Sequence, residues 1–274
     1  MSRIASLFAR LREEQRLGFF GYLTVGYPEI DSTVGIAEAI LQAGTDLIEL
    51  GMPFSDPLAE GRTIQATSQR ALRNGVNIAT CLETAWALRQ RTEAPLVLMG
   101  YLNPLLSYGL DRFAQHAANA GVDGVILPDL SLEEGHEIQA VFARSGLDMV
   151  LFAAPTSTDD RLDTVARLAS GFIYCIAVTG VTGGREELGA DVDGLLARMQ
   201  ARTTTPLGLG FGLSRPEHLQ RLAGKVDAAI VGSALLDAAR GPDPARGAAE
   251  FVRWMLGKGP APGVPAPAAG PVHT

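Results

Sequence analysis

Short apolar runs alternate with longer amphipathic stretches along most of this chain. The runs FFGYLT (19–24), DLIELG (46–51), PLVLM (95–99), DGVIL (123–127), LDMVLF (147–152), FIYCIA (172–177), PLGLG (206–210) and DAAIV (227–231) predict eight strands. They are apolar on both sides, as in a parallel sheet covered by helices. Helix-length segments lie near 31–43, 63–73, 77–91, 111–120, 133–144, 159–169, 191–201 and 215–223, and a last helix fits 244–256. Asp31, Asp111, Ser131 followed by Glu134, and Ser214 with Pro216 supply helix starts. The opening MSRIASLFARLREEQRLG is amphipathic, carries Glu13 and Glu14 and has no cleavable apolar core, so it reads as a structural first helix and not as a signal peptide.

Eight strands, each followed by a helix, predict an α/β fold, the closed (β/α)8 TIM barrel that takes about 250 residues. AGTDLIEL, AGVDGVIL and GKVDAAIV repeat a Gly-x-Asp or Lys-x-Asp entrance to a strand. A glycine there ends the preceding helix, and the aspartate sits at the strand end away from the chemistry. An open doubly wound sheet is the alternative, but its GxGxxG turn after the first strand is missing. Residues 1–256 are expected to form a single barrel domain with an extra N-terminal helix. Residues 257–274, GKGPAPGVPAPAAGPVHT, are expected to form a flexible, disordered Pro/Ala/Gly-rich tail.

Composition narrows the chemistry. A hydrophobic fraction of 47% suffices for a sizeable core, and a net charge of -7 disfavours a basic nucleic-acid surface. No apolar run approaches the roughly 18–20 residues of a membrane span. Cys81 and Cys175 form no CxxC pair and read as reduced, buried thiols of a cytoplasmic protein. Lys225 and Lys258 are the only lysines, neither at the mouth of a barrel, which argues against Schiff-base catalysis. The four histidines (116, 136, 218 and 273) are dispersed, with no HxH or HExxH, so no metal site is expected.

In a barrel the chemistry belongs at the carboxyl ends of the strands. Glu49 stands there between Ile48 and Leu50. If those neighbours face the helices, Glu49 faces the interior, as a structural carboxylate or as an acid or base with a raised pKa. MPFSDPLAEGRTIQ follows, polar and broken by Pro53, Pro57 and Gly61, with Asp56 and Glu60 as candidates. The third strand leads into GYLNPLLSYG, read as a loop with Asn103. The sixth leads into VTGVTGGREELG, read as a mobile lid. The seventh and eighth end in glycine turns, with Gly210, Gly212, Gly232 and Ser233, which suit a phosphate cup made of backbone N–H groups.

The stretches YLTVGYP (22–28), ELGMPFSDPLAEG (49–61), LMGYLNPLLSYG (98–109), GVDGVILPDL (121–130), APTSTDDR (154–161), GFIYCIAVTGVTGGR (171–185), GFG (210–212) and VGSALL (231–236) resemble the tryptophan synthase alpha chain family. The resemblance spans roughly residues 1–256. It implies a lyase of tryptophan biosynthesis that cleaves indole-3-glycerol phosphate to indole and glyceraldehyde 3-phosphate. It also implies a beta-chain partner, in an alpha2-beta2 heterotetramer, that holds pyridoxal phosphate; the alpha chain itself carries no cofactor. By position, the resemblance makes Glu49 the acid/base and Glu60 the carboxylate at the indole nitrogen. Phe19 and Tyr22 approach or line the site, Tyr174 lines it, and Thr182 is the lid contact. Gly183, Gly212, Gly232 and Ser233 hold the phosphate, and Pro53, Asp56 and Asn103 meet the beta chain. The chain departs from the family pattern at Glu60, where aspartate is usual, at Arg62, where proline is usual, and at Gly184, where alanine is common.

Other readings remain. A free-standing lyase that releases indole has the same motifs. A phosphosugar isomerase or epimerase would need a histidine or lysine electrophile at a strand end, and none stands there. A non-catalytic, regulatory phosphate-binding barrel belongs to a different class.

Overall fold

The apolar runs become parallel strands because each can bury both faces, one against helices and one against the other strands. In the computed structural model, which describes residues 2–57, 60–176, 190–210 and 212–262, they are β1 (Gly18–Thr24), β2 (Leu47–Gly51), β3 (Leu96–Met99), β4 (Gly124–Ile126), β5 (Asp148–Ala153), β6 (Ile173–Ile176), β7 (Leu207–Gly210) and β8 (Ala228–Val231). Each pairs in parallel with the next, and β8 pairs with β1. This closes the barrel and rules out the open sheet.

Around the barrel run α2 (Ser32–Ala43), α3 (Arg62–Arg73), α4 (Ile78–Arg89), α5 (Leu102–Tyr108), α6 (Leu110–Asn119), α7 (Leu132–Arg144), α8 (Asp159–Leu168), α9 (Ala190–Gln200), α10 (Pro216–Leu222), α11 (Ser233–Ala238) and α12 (Pro244–Met255). Of the expected starts, one keeps its place without a capping bond and two shift. Asp31 precedes α2 but makes no side-chain capping bond. Gly109, not Asp111, precedes α6. Arg215 rather than Ser214 precedes α10, the Ser214 N–H being bound to His218 Nδ1. The segment expected to be a loop around Asn103 is the short helix α5. The expected flexible tail lies outside the described residues from 263 onward.

The first helix, α1 (Arg3–Glu13), is capped by the Ser2 hydroxyl and buries Ile4, Leu7, Phe8 and Leu11. That spacing makes one apolar stripe, which plugs the amino-terminal end of the barrel. Phe8 meets Phe20 and Phe172 at ring distances of 5.7 and 6.0 Å, and those two rings meet edge-on at 5.5 Å.

The repeated aspartates have a shared task. The Asp46 backbone N–H donates to the Phe19 carbonyl, and its carboxylate accepts the Phe19 N–H at 2.9 Å. Asp123 does the same with Leu96, and Asp227 with Leu207, each carboxylate bond being 2.8 Å. Gly44, Gly121 and Gly224, two or three residues earlier, have positive φ, the left-handed turn that ends the preceding helix. Arginines from α1 and the turn after it pair with these carboxylates: Arg3 with Asp123, Arg12 with Asp227 and Arg16 with Asp46.

Asp123 is also paired with the nearly buried Arg89 at 2.8 Å. Asp123→Ala would leave that guanidinium and the Leu96 N–H without their carboxylate. Unfolding in urea is expected to show a loss of about 3–5 kcal/mol. A loss below about 1 kcal/mol would show that the aspartate is dispensable to strand registration.

Candidate functional site

The pleat decides which side chains enter the barrel. Ile48 and Leu50 pack toward the helices, whereas Leu47 lies in the interior cluster with Phe20 and Tyr22. Glu49, in phase with Leu47, therefore points inward. It stands opposite Tyr22 on β1 and Val97 on β3. Phe19 packs on the helix side, so it does not line the interior as expected; Phe20 faces inward instead, at the floor.

Glu49 is fully buried, and among the described residues neither of its oxygens has a hydrogen-bond partner. A carboxylate there lacks the solvation that would keep it charged. Burial, and next the neighbouring Glu60, push the Glu49 pKa up to about 8. Glu60 is half-buried, and burial raises its pKa to about 7. Its loop is pinned by Gln65 on α3, whose amide donates to the Glu60 carbonyl at 2.9 Å, and by the Glu60 N–H bonding to the Pro57 carbonyl.

Two tyrosines complete the interior. Burial first, then the charge of Glu60, raises the Tyr22 pKa. Burial followed by Glu49 and Glu60 raises that of Tyr174. Both phenols therefore stay neutral and can donate. Their rings require particular glycines. A Cβ on Gly51 would strike the Tyr22 hydroxyl, and one on Gly210 would strike the Tyr174 hydroxyl. Tyr174 also packs on Phe152, with ring centroids 4.9 Å apart.

Gly212 has φ +72° and Gly232 precedes α11, whose first residue, Ser233, is exposed. A Cβ at Gly232 would face Tyr22 and Ile64 at 3.5–3.8 Å, so this turn borders the interior near the tyrosine. The first N–H groups of α11 have no helical acceptor. Thr182, Gly183, Gly184 and the expected lid lie outside the described residues. Pro53 is half-buried, while Asp56 and Asn103 are exposed, on the loop after β2 and on α5.

Phe54 and Tyr101 were given no role from the sequence. Tyr101 stacks on Phe54 with ring centroids 4.8 Å apart and an interplanar angle of 25°. It belongs to the electrostatic surroundings of Tyr22. The signal was available, because Tyr101 stands just beyond a strand end, but the segment was expected to be a loop. Among the described residues no three His, Cys, Asp or Glu side chains gather as metal ligands.

Residues 8–251 match the family model described as tryptophan synthase alpha chain. The chain belongs to that family. It is 49% identical over 261 residues to the tryptophan synthase alpha chain of Roseiflexus sp. (strain RS-1), covering 94% of this chain and all of that one. Its fold is similar to the tryptophan synthase alpha subunit of Legionella pneumophila, with a TM-score of 0.86, 32% identity, and coverage of 94% and 98% of the two chains. It is also similar to a chain of a tryptophan synthase complex from Pyrococcus furiosus, with a TM-score of 0.82, 32% identity, and coverage of 88% and 98%. Membership makes it a lyase of tryptophan biosynthesis.

The burial of Glu49 has a consequence for stability. A carboxyl whose pKa is raised in the folded state favours folding at low pH. That advantage is lost as pH rises from about 4.5 toward about 8, where the folded state must keep a proton or bury a charge. Glu49→Gln removes this dependence. The variant is expected to gain at least about 1 kcal/mol on the wild type between pH 5 and pH 9 in urea unfolding, the worth of less than one pKa unit. Parallel stability profiles would mean that Glu49 ionises freely.

Proposed function

We propose that Glu49 and Glu60 carry out the retro-aldol cleavage of indole-3-glycerol phosphate into indole and glyceraldehyde 3-phosphate. The observation that carries this reading is the fully buried Glu49 carboxyl, without a hydrogen-bond partner among the described residues, whose pKa is raised by that burial and by the nearby Glu60. At neutral pH Glu49 holds a proton that it can deliver to C3 of the indole ring. The ring nitrogen then takes up positive charge, which the Glu60 carboxylate stabilises. Glu49, now a base, removes the proton of the glycerol hydroxyl next to the ring. The O–H electrons form the aldehyde carbonyl, the carbon–carbon bond breaks, and its electrons restore the indole. Glu49 ends protonated, as it began. Interior side chains such as Met99, Ile126 and Phe152 offer apolar walls for the ring. The turns at Gly212, Gly232 and Ser233, with Gly183, are assigned to the phosphate, whose binding orients the bond to be broken, while Tyr22, Tyr174 and the lid residue Thr182 are assigned to the rest of the substrate.

On the same reading the chain works in the cytoplasm with a beta chain, as two copies of each. That partner, and not this chain, holds pyridoxal phosphate. Pro53, Asp56 and Asn103 are assigned to the contact. Exposed Leu106 on α5 gives that face an apolar centre, and one of the similar folds belongs to a tryptophan synthase complex.

Purified protein without a partner, given indole-3-glycerol phosphate, should release indole. Glu49→Gln should lower that rate about 10²-fold or more. Glu60→Gln should lose about 10²-fold, the scale of one transition-state contact, while Glu60→Asp stays active. A Glu49→Gln rate close to wild type would remove the acid/base assignment, and an unaffected Glu60→Gln would remove the electrostatic one.

Gly232→Val tests the phosphate assignment. The first added carbon makes only ordinary contacts, 3.5 Å or longer, with Tyr22 and Ile64, so the fold should survive, but the side chain enters the space assigned to the anion. Inorganic phosphate should bind at least about tenfold more weakly. Unchanged binding would move the phosphate elsewhere.

A further inference from the structure

The loop from Met52 to Gly61 carries Glu60 and starts with the Met52 N–H bonded to the Met99 carbonyl at 2.7 Å. Gln65 fixes its second half through the Pro57 and Glu60 carbonyls. Its first half meets the barrel through the stack of Phe54 on Tyr101. A cavity of about 20 Å3, lined in part by Met52, Phe54, Cys81, Tyr101 and Leu105, adjoins the stack, so close packing alone does not fix the two rings. Tyr101 is the residue before α5, and its own side chain makes no capping bond to that helix. The cap comes from the loop after the neighbouring strand. Asp129, just past the end of β4 and 27 positions along the chain, accepts the Leu102 N–H on both carboxylate oxygens, at 3.0 and 3.1 Å. This charge-assisted bond joins the turn after β4 to the start of α5. It lies one residue from the Tyr101 ring.

We propose that Asp129 is a positioning residue: by capping α5 from the neighbouring loop it holds Tyr101 against Phe54 and so sets the place of the loop that carries Glu60. The proposal rests on the lyase reading above. Asp129 touches no reacting atom in this role. It is exposed, so its replacement removes a restraint without opening the core.

The test uses the full chain with Asp129→Ala, Asp129→Asn, Tyr101→Leu and the double variant Asp129→Ala/Tyr101→Leu. Two quantities are read: steady-state indole release from indole-3-glycerol phosphate, and amide hydrogen exchange of residues 52–57. Asp129→Ala should lower kcat about tenfold, the cost of a slightly misplaced group, with KM within about twofold. It should speed exchange in 52–57 about tenfold through local opening. Asp129→Asn keeps an acceptor oxygen and should restore most of both. In the Tyr101→Leu background the alanine change should add less than about twofold, because both act through one contact. Unchanged exchange in Asp129→Ala, failure of Asn to rescue, or fully multiplicative effects would each overturn the proposal. If the wild type releases no indole, the lyase reading fails, while the exchange data still decide whether Asp129 holds the loop.

Discussion

The bond between the Asp46 carboxylate and the Phe19 N–H sets the register of β1 against β2 at their first residues. Because the strands are short and parallel, that register runs unaltered to their other ends. Phe20 falls opposite Leu47, so Tyr22 falls opposite Glu49. Asp123 and Asp227 fix β3 on β4 and β7 on β8 in the same way. The arginines on and after α1 seat on these carboxylates, which brings the apolar stripe of that helix over the barrel floor. The two ends of the barrel thus have different tasks: charged pairs and aromatic packing lock one, and the other is left to the loops.

With the floor filled by Phe8, Phe20 and Phe172, the polar groups of the interior are confined to the upper layers. There the low polarity that raises the Glu49 pKa also strengthens its interaction with Glu60. A free carboxyl in water would be ionised at neutral pH and unable to give a proton. The same group inside this barrel keeps one. The hydrophobic walls therefore serve two purposes, holding an aromatic ring and setting the protonation of the acid beside it.

The alternation of apolar and amphipathic segments was enough to read the barrel, since each strand is bounded by helix-length stretches and the ends moved by only a residue or so. Glu49 was legible for the same reason: a charge between two helix-facing apolar residues has one place to go. Phe19 was misplaced because aromatic residues stand at both 19 and 20, and only the pleat tells them apart. The helix α5 was missed because Asn103, Pro104 and Gly109 resemble turn residues, and the carboxylate that caps it comes from a distant loop. Such a bond leaves no local trace in the sequence. The strand-opening aspartates were visible as a repeat, but their partners are backbone groups of other strands.

Gly51 and Gly210 lie beneath the hydroxyls of Tyr22 and Tyr174, where even one added carbon would collide. Each glycine and the tyrosine above it therefore share a single fixed volume. Alanine at either glycine forces the ring aside before it offers anything in return, and shortening the tyrosine first opens a hole beside two carboxyls. Divergence at these four positions must pass through paired replacement.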